Sequence, residues 1–89
     1  MEINKIFFFR GTDLLIKIRQ SNAKDCYGAK LAKMLNLGYA RVNQLLFLFD
    51  KLKLVEFVSL NKRTKGAMLT KKGEEIADNL IAIMKKINA

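Results

Sequence analysis

The chain has 89 residues, 51% hydrophobic and 28% charged, and its 17 Lys and Arg against 8 Asp and Glu give a formal charge of +9. That apolar content excludes intrinsic disorder, the length leaves room for a single domain over 1–89, and the cationic excess favours nucleic acid, an anionic membrane surface or an acidic protein as partner. With no His, and with Cys26 as the only cysteine, a disulfide framework is excluded, and zinc sites and Cys–His or Ser–His nucleophiles are excluded or left without partners.

In chain order, "INKIFFF" (3–9) is a short β-branched and aromatic run that reads as a strand or extended arm. "RGTDLLIKIRQSN" then reads as a helix, with Thr12 or Asp13 at its cap and Leu14, Leu15 and Ile18 on one apolar face. A second helix spans about 28–36, where Leu31, Ala32 and Leu35 form a stripe and Lys30 and Lys33 point elsewhere. "NLG" (36–38) breaks it, because Asn and Gly form turns and Leu37 can plug the corner. A third helix follows over about 39–52, with Val42, Leu45, Leu46 and Phe49 on one side. Two helices joined by so short a turn, the second with a polar N-terminal half, have the helix-turn-helix pattern (about 28–52).

Beyond Lys53 the period changes. "LVEFVSL" (54–60) and "AMLT" (67–70) read as strands of an antiparallel hairpin, joined by the cationic "NKRTKG" with turn formers Asn61 and Gly66. "KKGEEIADNLIAIMKKINA" is a helix from about 72 to 87, its Glu74 and Glu75 in the first turn and Lys85 and Lys86 in the last, as the helix dipole favours. The expected fold is therefore mainly α with a small β-hairpin (α+β): four helices plus the hairpin at about 54–70, and an N-terminal strand or arm.

The glycines are isolated and form no phosphate-binding fingerprint, and the acidic residues are scattered apart from Glu74-Glu75, so an enzyme is not expected. No metal, cofactor or small-molecule ligand is implied. The apolar runs "IFFF" and "LLFLF" are too short to cross a bilayer, and no secretory signal is visible, so no membrane partner and a cytoplasmic, nucleoid-associated location are expected.

From Leu14 to about Ile83 the sequence resembles the archaeal and bacterial winged helix-turn-helix transcription regulators of the broad MarR/PadR-like type. The resemblance lies in "YGAKLAKML", "NLGYARVNQLL", "KLVEF" and the Leu-Thr-x-x-Gly of "AMLTKKGEEIA", in that order. It implies double-stranded DNA as partner, the hairpin being the wing and the third helix the recognition helix. Lys62, Arg63 and Lys65, with Lys71 extending the strip, would then meet phosphates or the minor groove, with Lys30 and Lys33 clamping the backbone from the second helix. Tyr39, Arg41, Asn43 and Gln44 would read bases, Arg suiting guanine and Asn or Gln adenine. Gly38 stands where the family often has Ser or Thr, and Lys53 where it has Gly. Phe47, Leu48 and Leu52 replace polar or basic residues, so a cover is expected for them: the "IFFF" arm, the last helix or a second subunit.

Ile76, Leu80, Ile83 and Ile87 follow 4-3-4 spacing beside a second stripe of Ala77, Ile81 and Met84, which suggests a homodimer with these four as its interface, the N-terminal arm and the third helix being the other surfaces open to that role. Two other readings stay open at this level: an architectural chromatin protein of low specificity, and a winged helix used as a protein–protein module. Cys26 reads as a small residue at the edge of the core.

Overall fold

The computed structural model describes residues 10–88, so the strand or arm expected over 3–9 lies outside the described residues. Helix α1 spans Gly11–Gln20 and buries Leu14, Leu15 and Ile18, the expected face. Its start differs from expectation. Thr12 and Asp13 lie inside the helix, and the N-cap is Arg10 in the left-handed region (φ 64°), with no side-chain cap. Asp13 accepts instead from Arg10 Nε at 2.9 Å, an exposed i,i+3 ion pair. The dipole and that pair place the acid in the first turn without a capping role.

A short 3-10 turn at Ala23–Asp25 leads to α2, Gly28–Leu35, and α3 follows at Tyr39–Lys51. The corner between them is closed by two backbone bonds, Asn36 N–H to Lys33 O (3.3 Å) and Leu37 N–H to Ala32 O (2.9 Å). Asn36 takes the left-handed conformation this requires (φ 54°), and Leu37 packs on the core, as the hydrophobic contact of a Schellman cap should. The end of α3 repeats the device. Leu54 N–H bonds Phe49 O at 2.8 Å, Leu54 is buried, and the left-handed residue is Lys53 (φ 62°).

Strands β1 (Val55–Ser59) and β2 (Lys65–Leu69) pair antiparallel from Val55 with Leu69 to Ser59 with Lys65. The tip is held by Asn61, whose Oδ1 accepts from the amides of both Arg63 and Thr64 at 2.9 Å. Gly66, expected in the turn, is instead a buried strand residue. A Cβ there would meet Leu60 at 2.9 Å and the Cys26 carbonyl at 3.1 Å. That close approach reflects a third, one-residue sheet element the sequence did not announce: Tyr27 bridges Gly66, and Ala67 N–H bonds Cys26 O at 2.7 Å.

Helix α4, Lys71–Ile87, returns across the molecule. Its Thr70 cap does two jobs: Oγ1 accepts from Gly73 N–H at 3.0 Å and donates to Lys53 O at 2.7 Å. Arg19 near the end of α1 reaches Asp78 (2.9 Å) and Glu74 (3.7 Å) on α4. The hydrogen bond to Asp78, then its charge, then that of Glu74 outweigh desolvation and raise the guanidinium pKa further. At the other end Arg10 and Asp13 share a cleft with Met84, so α1 and α4 run antiparallel.

The core is one cluster drawn from all four α-helices and both strands, with Leu14, Leu15, Leu31, Val42, Phe49 and Ala77 fully enclosed. Cys26 belongs to it. Its thiol lies 3.4 Å from Asn22 O and 3.7 Å from Ile18 O, and burial, then the charge of Asp25, pushes its pKa up. The structure is mainly α with a small antiparallel hairpin, the order of a winged helix-turn-helix.

Candidate nucleic-acid interface

Helix α3 presents one apolar face to the core, formed by Val42, Leu45, Leu46 and Phe49. At 3.6 residues per turn the opposite stripe is Ala40, Gln44, Phe47 and Lys51, all exposed. Gln44 therefore points straight out. Tyr39 is 57% exposed at the helix start, and Arg41 is exposed on one flank of the stripe.

Asn43 is placed differently from a fully exposed base-reading residue. It is half-buried, and a Cβ on Gly28 would lie 2.9 Å from its Oδ1 and 3.1 Å from Tyr39 Cε2. Asn43 and Tyr39 thus lean on α2, and Gly28 is the surface that lets α2 and α3 approach. Gly38 has an ordinary φ, and a Cβ there would meet nothing within 4 Å, so no local crowding demands glycine.

The wing carries Lys62, Arg63 and Lys65, all exposed around the Asn61-held tip. Lys71 is exposed but stands at the other end of the hairpin, roughly 20 Å along the strand from Lys65. Lys72 Nζ donates to Leu52 O at 3.2 Å and so helps terminate α3. On α2, Lys33 is exposed and Lys30 half-buried.

The expected cover over the back of α3 is only partly found. Leu48 and Leu52 pack against the margin of the core, but Phe47 is 67% exposed. Its ring meets Phe57 of β1 edge-on, with centroids 6.0 Å apart and planes at 61°. This pair, missed in the sequence, joins the outward stripe of α3 to the wing. On α4, Ile76 and Leu80 pack on the core, whereas Ile83 (54%) and Ile87 (75%) are exposed beside Met84 (46%).

Among the described residues no cluster of His, Cys, Asp or Glu is arranged to hold a metal ion, and no helix is long and apolar enough to cross a membrane.

No family model matches the sequence. No curated protein matches it either. Solved structures do. AF1382 from Archaeoglobus fulgidus is 27% identical over 100% of this chain and 99% of that one, with a TM-score of 0.81. The S. aureus MepR–DNA complex superposes with a TM-score of 0.79 at 19% identity, over 96% of this chain and 65% of that one. A MarR/EmrR family transcriptional regulator from Acinetobacter sp. ADP1 gives 0.75 at 22% identity, over 98% and 64%. This chain therefore spans about two thirds of the length of those two proteins. Its fold is the winged helix-turn-helix fold of MarR-type transcription regulators.

Proposed function

We propose that the protein binds double-stranded DNA as a homodimer and regulates transcription, with α3 in the major groove and the basic wing on the backbone or minor groove. The observation that carries this reading is the Phe47–Phe57 contact, because it sets the outward stripe of α3 directly beside the wing. A duplex meeting Gln44 would then also meet Lys62, Arg63 and Lys65 of the same surface, and each neutralised phosphate would release counterions. MepR, whose solved complex contains DNA, shares this fold.

In this reading Gln44 and Arg41 make the base contacts, Tyr39 and Asn43 shape the entry of the helix against Gly28, and Lys30 and Lys33 add phosphate contacts from α2. Lys71 sits far from the wing tip and serves DNA only if the duplex bends toward the wing root. The dimer is supported by the exposed Ile83, Met84 and Ile87, an apolar strip on the distal half of α4. Ile76 and Leu80 contribute to the protomer's own core, not to that strip. A two-fold pair places two recognition helices about one DNA turn apart. The protein would then reside with the nucleoid.

The test is fluorescence anisotropy of a labelled random-sequence duplex across a salt series, with sedimentation of the free protein. A steep loss of affinity with salt, equivalent to roughly 4–8 phosphate contacts, is expected. Absence of binding at low salt would sink the DNA reading, and a monomer at micromolar concentration would sink the dimer.

A further inference from the structure

Phe47 is an unusual residue to leave in water. It is more exposed than any other phenylalanine among the described residues, yet it occupies the centre of the outward stripe of α3, three residues after Gln44 and four before Lys51. The core lies on the other side of the helix, so no rearrangement of packing within α3 can bury it. Phe57 meets it at a steep angle, with ring centroids 6.0 Å apart, and leaves most of the Phe47 ring open.

Resting on the DNA reading above, we propose that Phe47 is a specificity-determining residue that packs on thymine 5-methyl groups in the major groove. A phenyl ring neither donates nor accepts a conventional hydrogen bond, so it cannot read the polar base edges. The apolar feature displayed by the major groove is the thymine methyl. Gln44 on one side can pair with an adenine edge, and Lys51 on the other adds positive charge towards the phosphates, so the stripe is continuous with the proposed interface. Phe47 thus selects T-containing steps by contact with methyl groups.

The experiment compares full-length protein on an AT-rich duplex and on the same duplex with every thymine replaced by uracil, which removes only the methyl groups. Affinity should fall about fourfold for each methyl that Phe47 covers. Phe47→Ala, checked for folding by circular dichroism, should bind both duplexes alike, and Phe47→Leu should keep part of the difference. Equal affinity of the wild type for the two duplexes overturns the assignment while leaving DNA binding intact. A thymine preference that survives in Phe47→Ala overturns it too, assigning the methyl effect to another residue or to duplex shape. Failure to bind either duplex overturns the assignment and the DNA reading together.

Discussion

The carbonyl oxygen of Leu54 occupies the space where a side chain on Gly73 would begin. Leu54 also accepts the Thr70 amide at 3.0 Å, so the end of α3 and the start of α4 are locked backbone to backbone. The Gly of the Leu-Thr-x-x-Gly motif is thus a steric requirement. Gly73→Ala should cost about 3 kcal/mol by overpacking. Gly38→Ser, at a site with open space, should gain a few tenths of a kcal/mol by supplying the missing cap. Urea unfolding of the two variants checks both values.

The Thr of the same motif bonds in both directions, to Gly73 N–H and Lys53 O. Thr70→Val keeps the shape and loses both bonds, and should cost about 1–2 kcal/mol. Thr70→Ser should recover most of that in the same denaturation assay.

Lys53 and Asn36 hold equivalent left-handed caps, but only asparagine tolerates that conformation readily. Lys53→Gly should stabilise the fold by about 0.5–1 kcal/mol, the relieved strain exceeding the added freedom of the unfolded chain. Asn36→Ala should destabilise it by about 1 kcal/mol. A rise in melting temperature for Asn36→Ala would refute the strain argument.

Cys26 gives a pH signature. Its thiol pKa is raised in the fold by burial, then by Asp25, so the native state keeps its proton where the unfolded chain loses it. The stability from the neutral thiol is full below the unfolded value, about 8.5, and declines as pH rises from there towards the folded value. Unfolding free energies at pH 7 and above 9 should show this decline in the wild type and less of it in Cys26→Ala. Thiol reagents should modify native Cys26 far more slowly than the unfolded chain.

On the DNA side, Lys62→Gln, Arg63→Gln and Lys65→Gln should weaken binding to all sequences alike. Each should reduce the slope of log affinity against log salt by about 0.9 where it removes a phosphate contact. Gln44→Ala should instead relax preference between sequences with little change in slope. A variant of Gln44 that alters only the salt slope would place that residue on the backbone.

The helices and the hairpin are legible in the sequence because their apolar residues repeat at 3.6 or 2, and because Asn36 and Leu37 announce the turn between α2 and α3; the Thr70 cap is not, since Thr70 reads equally well as the end of a strand. The Tyr27 bridge is not, since a single paired residue has no period. Gly66 misleads for a related reason. Glycine beside a cationic loop reads as a turn, whereas here its missing side chain admits Leu60 and the Cys26 carbonyl. Within the proposed interface, the outward direction of Gln44 follows from its helix face alone. Asn43 shares that polar half, but its orientation depends on where α2 packs, which only the fold supplies. Phe47 reads as a residue needing cover because hydrophobicity predicts burial; its angle relative to Val42 and Phe49 carries the contrary message.

The Arg19–Asp78 pair joins residues 59 positions apart, and Ala77 beside it is wholly enclosed. The corner between α2 and α3 closes on neighbours a few residues away, at small entropic cost, whereas α1 must wait for a distant segment. Leu14, Leu15 and Ile18 therefore have no complete enclosure without α4. A chain cut short within the wing would lack both Ala77 and the acidic partners of Arg19, and would leave this face of α1 open to water.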